Sequence, residues 1–438
     1  MSALRTLRSR GTVHSVAQAQ CAASASMPSS RSQPRSAYLG IDPTADGLHV
    51  GHLPGLMALR TFQAHGYRPI VVLGGATARV GDPSGRSEER PLLDASVIEA
   101  NLSAIKAEID AMGLLETNGR LGVIVENNAR WYESMDMLQF LREVGTNARM
   151  GTLLAKESTA ARLESESGMS YAEFTYPLLQ AYDFLHLHRE RNCAVQIGGS
   201  DQWGNIVAGC DLIRRTLGAV PCTGVTLNLI TTKSGEKLGK TAGNAVWLNP
   251  SKSAHLDFAQ YFLRVADDVV ERMLLALTPL PDAEIAEIMK QHEQEPQFRF
   301  AQKTLSETVV SAVRGDKANA SAKHAAEYLF GDFGSALPPL TRDEFSSIVS
   351  STGAKTVTIS RKDAETMTVI DAVVKLGLSP SKSRARTLAK SGAIRINRTQ
   401  IADTRTSLAE ELTARHGRAS HAVLSAGKKN HGFLFVAY

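Results

Sequence analysis

The chain has 438 residues, 43% of them hydrophobic and 21% charged, with a net charge of +5. That length leaves room for two to four domains with buried cores, and no apolar run approaches the roughly 20 residues of a membrane helix. Its four cysteines, Cys21, Cys193, Cys210 and Cys222, show no C-x-x-C spacing, which argues against a zinc site or a disulfide framework and fits a reducing compartment.

The charge is unevenly placed. Residues 1–41 carry +5 and residues 366–438 carry +8, which leaves −8 for 42–365. An acidic body with one basic end module is the balance a tethered RNA contact needs. The first 37 residues are rich in Arg, Ser and Ala and hold no Asp or Glu. Without an apolar core of the secretory kind, that composition is expected to be an organellar transit segment directing the chain to the mitochondrial matrix.

From Tyr38 the pattern turns to strand, glycine-containing turn, helix and strand. "YLGI" and "PIVVLGG" are short apolar strands of the buried kind, and "HLPGLMALRTFQAHG" between them has Pro54 in its first turn and Gly66 at its far end. This is a βαβ unit, so the fold class is α/β with a parallel sheet. Residues 95–190 read as a helical insertion. A second strand–turn–helix follows at "CAVQIGGSDQWGNIVAGCDLIRR", with Ser200 or Asp201 placed to cap the helix. Amphipathic helices then fill 251–350, a linker is expected over 351–365, and a small α+β module over 366–438.

Two motifs carry chemistry. "TTKSGEKLGKTAG" at 231–243 ends like a phosphate-binding P-loop, yet position 234 is Ser where the pattern needs Gly, and the chain continues into an extended "NAVWL". In "DGLHVGH", His49 and His52 lie three apart where a buried strand meets a helix. They read as an incomplete metal pair, as two structural histidines, or as donors to phosphate and ribose oxygens at a helix N-terminus, with Gly51 giving the ligand access to the backbone.

"DGLHVGH" resembles the HIGH signature of class I aminoacyl-tRNA synthetases, and "KLGKT" at 237–241 resembles its KMSKS partner. "YLGIDPTADGLHVGHL", "GGATARVGDPSGR", "EFTYPLLQAYDFL" and "QIGGSDQWGNI" narrow the likeness to tyrosyl-tRNA synthetases of the bacterial and mitochondrial type. The resemblance implies a Rossmann-like catalytic domain over 38–250 with the helical insertion, an α-helical anticodon-side domain, and an S4-like RNA-binding module at the end. It also implies a homodimer formed through the insertion.

Carried over by position, it places Tyr38 and Asp183 on the hydroxyl of L-tyrosine. Asp82, Tyr176 and Gln180 fall on its ammonium group, with Gln202 alongside. Asp42, Thr44, His49, Gly51 and His52 fall on ATP, Gly199 and Asp201 on its ribose, and Lys237 and Lys240 on the pyrophosphate. Magnesium is expected to arrive with ATP, with no tightly bound metal or organic cofactor, and His49, His52, Thr44, Lys237 and Lys240 serve the chemical step. Two departures stand out: Arg86 where the family often has Lys, and the "KLGKT" form of the loop. Lys382, Arg384, Arg386, Lys390, Arg395 and Arg398 are the expected contacts to tRNA(Tyr). A different reading keeps the RNA contact without catalysis, as a structured-RNA-binding or splicing factor; a third, a tryptophanyl enzyme, is disfavoured by Tyr38 with Asp183.

Overall fold

The computed structural model describes residues 2–18, 34–85, 88, 91, 93–115, 121–155, 157–164, 168–218, 220–229, 240–241, 244–331, 340–401, 404–416, 421–427 and 430–437. They form two compact units, Met1–Asn249 with Tyr261–Gly315, and Pro250–Gln260 with Asp316–Tyr438.

The first unit is built on a sheet whose strands run, side by side, Val13–Gln18, Thr223–Leu227, Cys193–Gly199, Ser36–Ile41, Arg68–Leu73 and Ile124–Asn127. Five are parallel, and Val13–Gln18 closes one edge antiparallel to Thr223–Leu227. The chain builds outward one way from Ser36–Ile41 and the other way from Cys193–Gly199. These neighbours form the switch point, and the crevice beyond their carboxyl ends is where an open α/β sheet binds ligands. Their buried faces explain the near-continuous apolar runs in the sequence: Ile70, Val71, Val72 and Leu73 are all buried. Helix Leu53–Ala64 packs Leu56, Leu59 and Phe62 into this core. Helix Tyr171–Arg191 contributes Phe184, Leu185 and Leu187, and its C-cap Asn192 adopts the left-handed conformation.

The N-terminal segment differs from its sequence reading. Residues 1–37 read as a leader, yet Ser2–Ser9 is a helix with Ala3, Leu4 and Leu7 buried, and Val13–Gln18 is a strand of the main sheet. Arg10 ties this piece down, donating to Asp282 Oδ1 at 2.9 Å and to the Thr278 carbonyl at 2.8 Å. Thr278 is the C-cap of helix Asp267–Leu277, where carbonyls lack partners within the helix, and Asp282 opens the next helix, Asp282–Gln294. Apolar residues at positions 3, 4 and 7 are one helical stripe, a signal that the acid-free composition masks.

The second unit has a five-stranded sheet in the order Thr399–Gln400, Ile394–Ile396, His421–Ala426, Asn430–Ala437 and Lys355–Ser360. Here two expected boundaries move. The linker expected over 351–365 instead supplies the edge strand Lys355–Ser360, parallel to Asn430–Ala437, and most of helix Arg361–Thr366. The helical domain expected over 251–350 is divided between the units. Leu256, Tyr328, Phe345 and Ile348 pack with Val423 and Phe433 of the second sheet, whereas 261–315 belongs with the first unit.

Candidate active site

A cavity of about 450 Å³ opens at the switch point, a size suited to a small-molecule ligand. All of the expected tyrosine residues line it: Tyr38, Asp82, Tyr176, Gln180, Asp183 and Gln202. So do Asp42, Thr44, His49, Gly51, His52, Gly199 and Asp201 from the expected ATP set. Lys237, Gly239 and Arg86 lie outside the described residues. Lys240 opens the short strand Lys240–Thr241, paired with Asn244–Ala245, and its side chain is not among those described.

The phenol end is set by one strand and two helices, Tyr171–Arg191 and the short Ala129–Tyr132. Tyr38, 1% exposed, sits in the middle of strand Ser36–Ile41 with its ring 5.5 Å from Phe184. Its hydroxyl is buried and has no hydrogen-bond partner among the described residues. An unpaired buried hydroxyl is costly, so this one is built for a partner that arrives from outside the protein. Asp183, on helix Tyr171–Arg191, faces the same space. It accepts from Trp131 Nε1 at 2.8 Å and from Asn128 Nδ2 at 3.2 Å.

Burial raises the Asp183 carboxyl to about 7, and these donors pull the other way. Burial, then the Asp183 charge, pushes the Tyr38 phenol well above its ordinary range, so it remains a donor at neutral pH. A phenol entering here would accept from Tyr38 and donate to Asp183.

Next along the cavity, Asp82 is 6% exposed and receives Gln202 Nε2 at 2.7 Å, the Ser84 N–H at 3.0 Å and Asn205 Nδ2 at 3.3 Å. Asn205 also donates to Gln180 Oε1 at 3.2 Å. Tyr176 donates to Asp42 Oδ2 at 2.8 Å, while Thr77 donates to Asp42 Oδ1 at 2.7 Å. Asp42, expected on the ATP side, therefore also fixes Tyr176 on the tyrosine side. A Cβ on Gly74 would overlap the Asp42 carboxylate, which accounts for glycine there.

Both histidines are tied into the turn through their Nδ1 atoms, which form a reciprocal capping box. His49 Nδ1 accepts from the Gly51 N–H, and His52 Nδ1 accepts from the His49 N–H, both at 3.1 Å. For His49 the acceptor role puts the ring proton on Nε2, while His52 Nδ1 also lies 3.3 Å from the His49 carbonyl. Burial, then the neighbouring His49, lowers His52 to about 3, so it stays neutral. No group of three or more His, Cys, Asp or Glu among the described residues is placed to hold a metal ion. The turn Val50–His52 leads into helix Leu53–Ala64, and Ser200–Gln202 leads into helix Trp203–Leu217. Two helix N-termini, with their positive dipole ends, therefore border the cavity.

Both ends of the 230–243 stretch are anchored here. Leu229, just before it, lines the cavity near Gly199. After it, the Val50 N–H donates to Val246 O at 2.9 Å and the Leu248 N–H to Leu48 O at 2.8 Å. Thr77, Asn128, Trp131 and Asn205 were not singled out in the sequence. For Asn128 a signal existed, since it directly follows the parallel strand Ile124–Asn127 at the ligand-binding edge of the sheet.

The comparisons with known proteins agree with this geometry. Residues 30–331 match the family of class I tRNA synthetases for tryptophan and tyrosine, and residues 350–434 match the C-terminal domain of tyrosine–tRNA ligases. The chain belongs to the tyrosine–tRNA ligase family. It is 40% identical over 407 residues to the tyrosine–tRNA ligase of Rhodopirellula baltica, covering 92% of this chain and 90% of that one. The Anaeromyxobacter dehalogenans ligase is 39% identical, covering 92% and 93%. Among solved structures, a C-terminally truncated mitochondrial tyrosyl-tRNA synthetase of Aspergillus nidulans is 30% identical with TM-score 0.65, covering 75% of this chain and 94% of that one. That of Coccidioides posadasii is 31% identical with TM-score 0.62, covering 73% and 90%. The match over residues 30–331 spans every residue that lines the cavity.

The expected RNA-facing set divides. Lys382, Arg384, Arg386 and Lys390 are exposed along helix Lys382–Lys390, and Arg395 is exposed on the neighbouring strand. Arg398 departs from the expectation. It occupies the Asn397–Arg398 hairpin turn at φ 68° and donates to the Tyr328 carbonyl at 2.7 Å, and to those of Gly331 and Glu327. It thus caps helix Asp316–Phe330, because a positive-φ turn aims the side chain back at the helix end.

Proposed function

We propose that this chain activates L-tyrosine with ATP, forming tyrosyl-adenylate and pyrophosphate, and then transfers tyrosine to the terminal ribose of tRNA(Tyr). The observation that carries the reading is the buried, unpartnered Tyr38 hydroxyl facing Asp183. Tyrosine supplies the matching group, and phenylalanine leaves both unpaired. The tyrosine carboxylate is itself the nucleophile, so no protein nucleophile is required. The chain's task is to align that carboxylate with the α-phosphate and to stabilise the charge that develops. His49, the neutral His52 and the bordering helix N-termini suit that task; Lys237 and Lys240 are assigned to the pyrophosphate. Magnesium enters as part of the ATP substrate. The test is tyrosine-dependent exchange of labelled pyrophosphate into ATP by the full-length chain, with phenylalanine and tryptophan as controls. Exchange with tyrosine alone supports the reading; binding of structured RNA without any exchange favours the non-catalytic alternative.

The working form is proposed to be a homodimer. Met137 and Leu138 of helix Met137–Glu143 are 77% and 75% exposed, and Met150 nearby in sequence is 57% exposed. Apolar side chains this open mark a surface that a second copy covers. The proposed location is the mitochondrial matrix, supported by the likeness to the mitochondrial synthetases of Aspergillus nidulans and Coccidioides posadasii. Arg5 and Arg8 lie on the exposed side of helix Ser2–Ser9. A fusion of residues 1–40 to a fluorescent reporter tests this, and a cytosolic reporter contradicts it.

A further inference from the structure

We propose that Asn228 is a positioning residue for ATP, and that it works by tying one wall of the cavity to the N-terminal segment. The proposal rests on the reading of this cavity as the tyrosine-activating site. The wall is the stretch Leu227–Leu229, where strand Thr223–Leu227 ends. Leu229 is 40% exposed, and its side chain lies 3.7 Å from where a Cβ on Gly199 would stand. Behind the same stretch is a second cavity of about 240 Å³, bounded by Leu7, Thr12, Met57 and Leu275. Pro54, Leu227, Asn228 and Leu229 line both cavities.

A segment with a cavity on each side gains little from dispersion contacts beyond Leu227, so its hydrogen bonds decide where it lies. Those of Asn228 run to one place. Its backbone N–H donates to the Thr12 carbonyl at 2.9 Å, and its Nδ2 donates to the Gly11 carbonyl at 2.7 Å. Gly11 can present that carbonyl because it turns the chain at φ 64°, a conformation costly for other residues. The adjacent Arg10 is fixed in turn by Asp282 and the Thr278 carbonyl. Support therefore runs from the end of helix Asp267–Leu277 through Arg10 and Gly11 to Asn228, and from there to Leu229 at the ATP end. The side-chain bond is the separable part of this path, since the backbone bond is available to any residue but proline.

The test measures ATP and tyrosine binding separately by calorimetry, together with KM for each in pyrophosphate exchange, for the full-length wild type, Asn228→Ala and Asn228→Gln. Asn228→Ala is expected to raise the ATP Kd and KM about three- to tenfold, the range for one lost hydrogen bond. Tyrosine values and the melting temperature stay unchanged, and Asn228→Gln, which keeps an amide donor, recovers most of the loss. An unchanged ATP Kd in Asn228→Ala overturns the proposal, as does an equal rise for tyrosine, which marks general loosening. A wild type that binds ATP but supports no tyrosine exchange defeats the functional reading alone, since the Asn228 claim is still judged on the ATP Kd. A wild type that binds no ATP defeats both.

Discussion

At the tyrosine end of the cavity, Tyr38, Asp82, Tyr176 and Asp183 are buried, and apart from the Tyr38 hydroxyl each has a named partner in the protein. At the ATP end, Thr44, Gly51, Asp201 and Leu229 are exposed. The difference follows from what each end must recognise. Telling a phenol from a benzyl group takes buried polar groups held in fixed positions, because only a desolvated mismatch is expensive. A triphosphate carries charge enough to be held by dipoles and N–H donors in a more open setting.

The largest way to break this contrast is Asp183→Ala. It orphans the buried Trp131 donor and removes the acceptor for the substrate hydroxyl, and kcat/KM for tyrosine in pyrophosphate exchange is expected to fall about a thousandfold. The ATP Kd measured without tyrosine should stay where it was; a parallel loss of ATP binding would mean that the two ends are not separable. His52→Ala is the converse. Removing one donor to developing charge should lower kcat about a hundredfold, with the tyrosine Kd unchanged by calorimetry.

Trp131→Phe sharpens the account through pH. The Asp183 carboxyl is raised to about 7 in the folded protein, so kcat/KM for tyrosine should rise with pH through that value as the acceptor carboxylate forms. Losing the Trp131 donor moves the midpoint upward and lowers activity at pH 7 by up to about tenfold, with recovery at higher pH. A profile that does not move would show that Trp131 does not tune this group. The same raised value has a sign for stability. The folded state holds a proton that the unfolded state has released, so this contribution is present below about pH 4 and is lost as pH climbs through about 7. Asp183→Asn should therefore raise the melting temperature at pH 8 while weakening tyrosine use.

The smallest effects are expected in the second unit. Arg386→Gln should raise KM for tRNA only about two- to threefold and flatten its salt dependence slightly. Arg398→Gln should instead lower the unit's melting temperature and leave the salt slope alone, because its guanidinium serves helix carbonyls. Equal RNA effects from both would contradict that division.

The amino-acid pocket was legible in the sequence because its side chains sit within short motifs on regular elements, as in "TYPLLQAYD", where Tyr176, Gln180 and Asp183 fall within eight positions of one helix. Its support was less legible. Trp131 matters because it follows strand Ile124–Asn127 at the carboxyl edge of the sheet and reaches Asp183 on a helix about 50 residues later, a relation set by the fold. The basic residues misled in two places for one reason: charge does not say where a side chain finds its partners. Arg10 sits in a segment composed like a leader and anchors the fold, and Arg398 sits in a run composed like an RNA contact and caps a helix. The boundaries at 351–365 failed because Lys355–Ser360 gains its place from pairing with a strand about 75 residues later in the chain.

The central claim is that the Tyr38–Asp183 pair selects a phenol, and pyrophosphate exchange by the full-length chain tests it most directly. A chain starting near residue 35 lacks the helix Ser2–Ser9 and the edge strand Val13–Gln18 and is the wrong material for this measurement. The account predicts exchange with tyrosine, none above background with phenylalanine or tryptophan, and reduced discrimination in Tyr38→Phe. Exchange with phenylalanine comparable to tyrosine, or none with tyrosine from folded full-length protein, would contradict it.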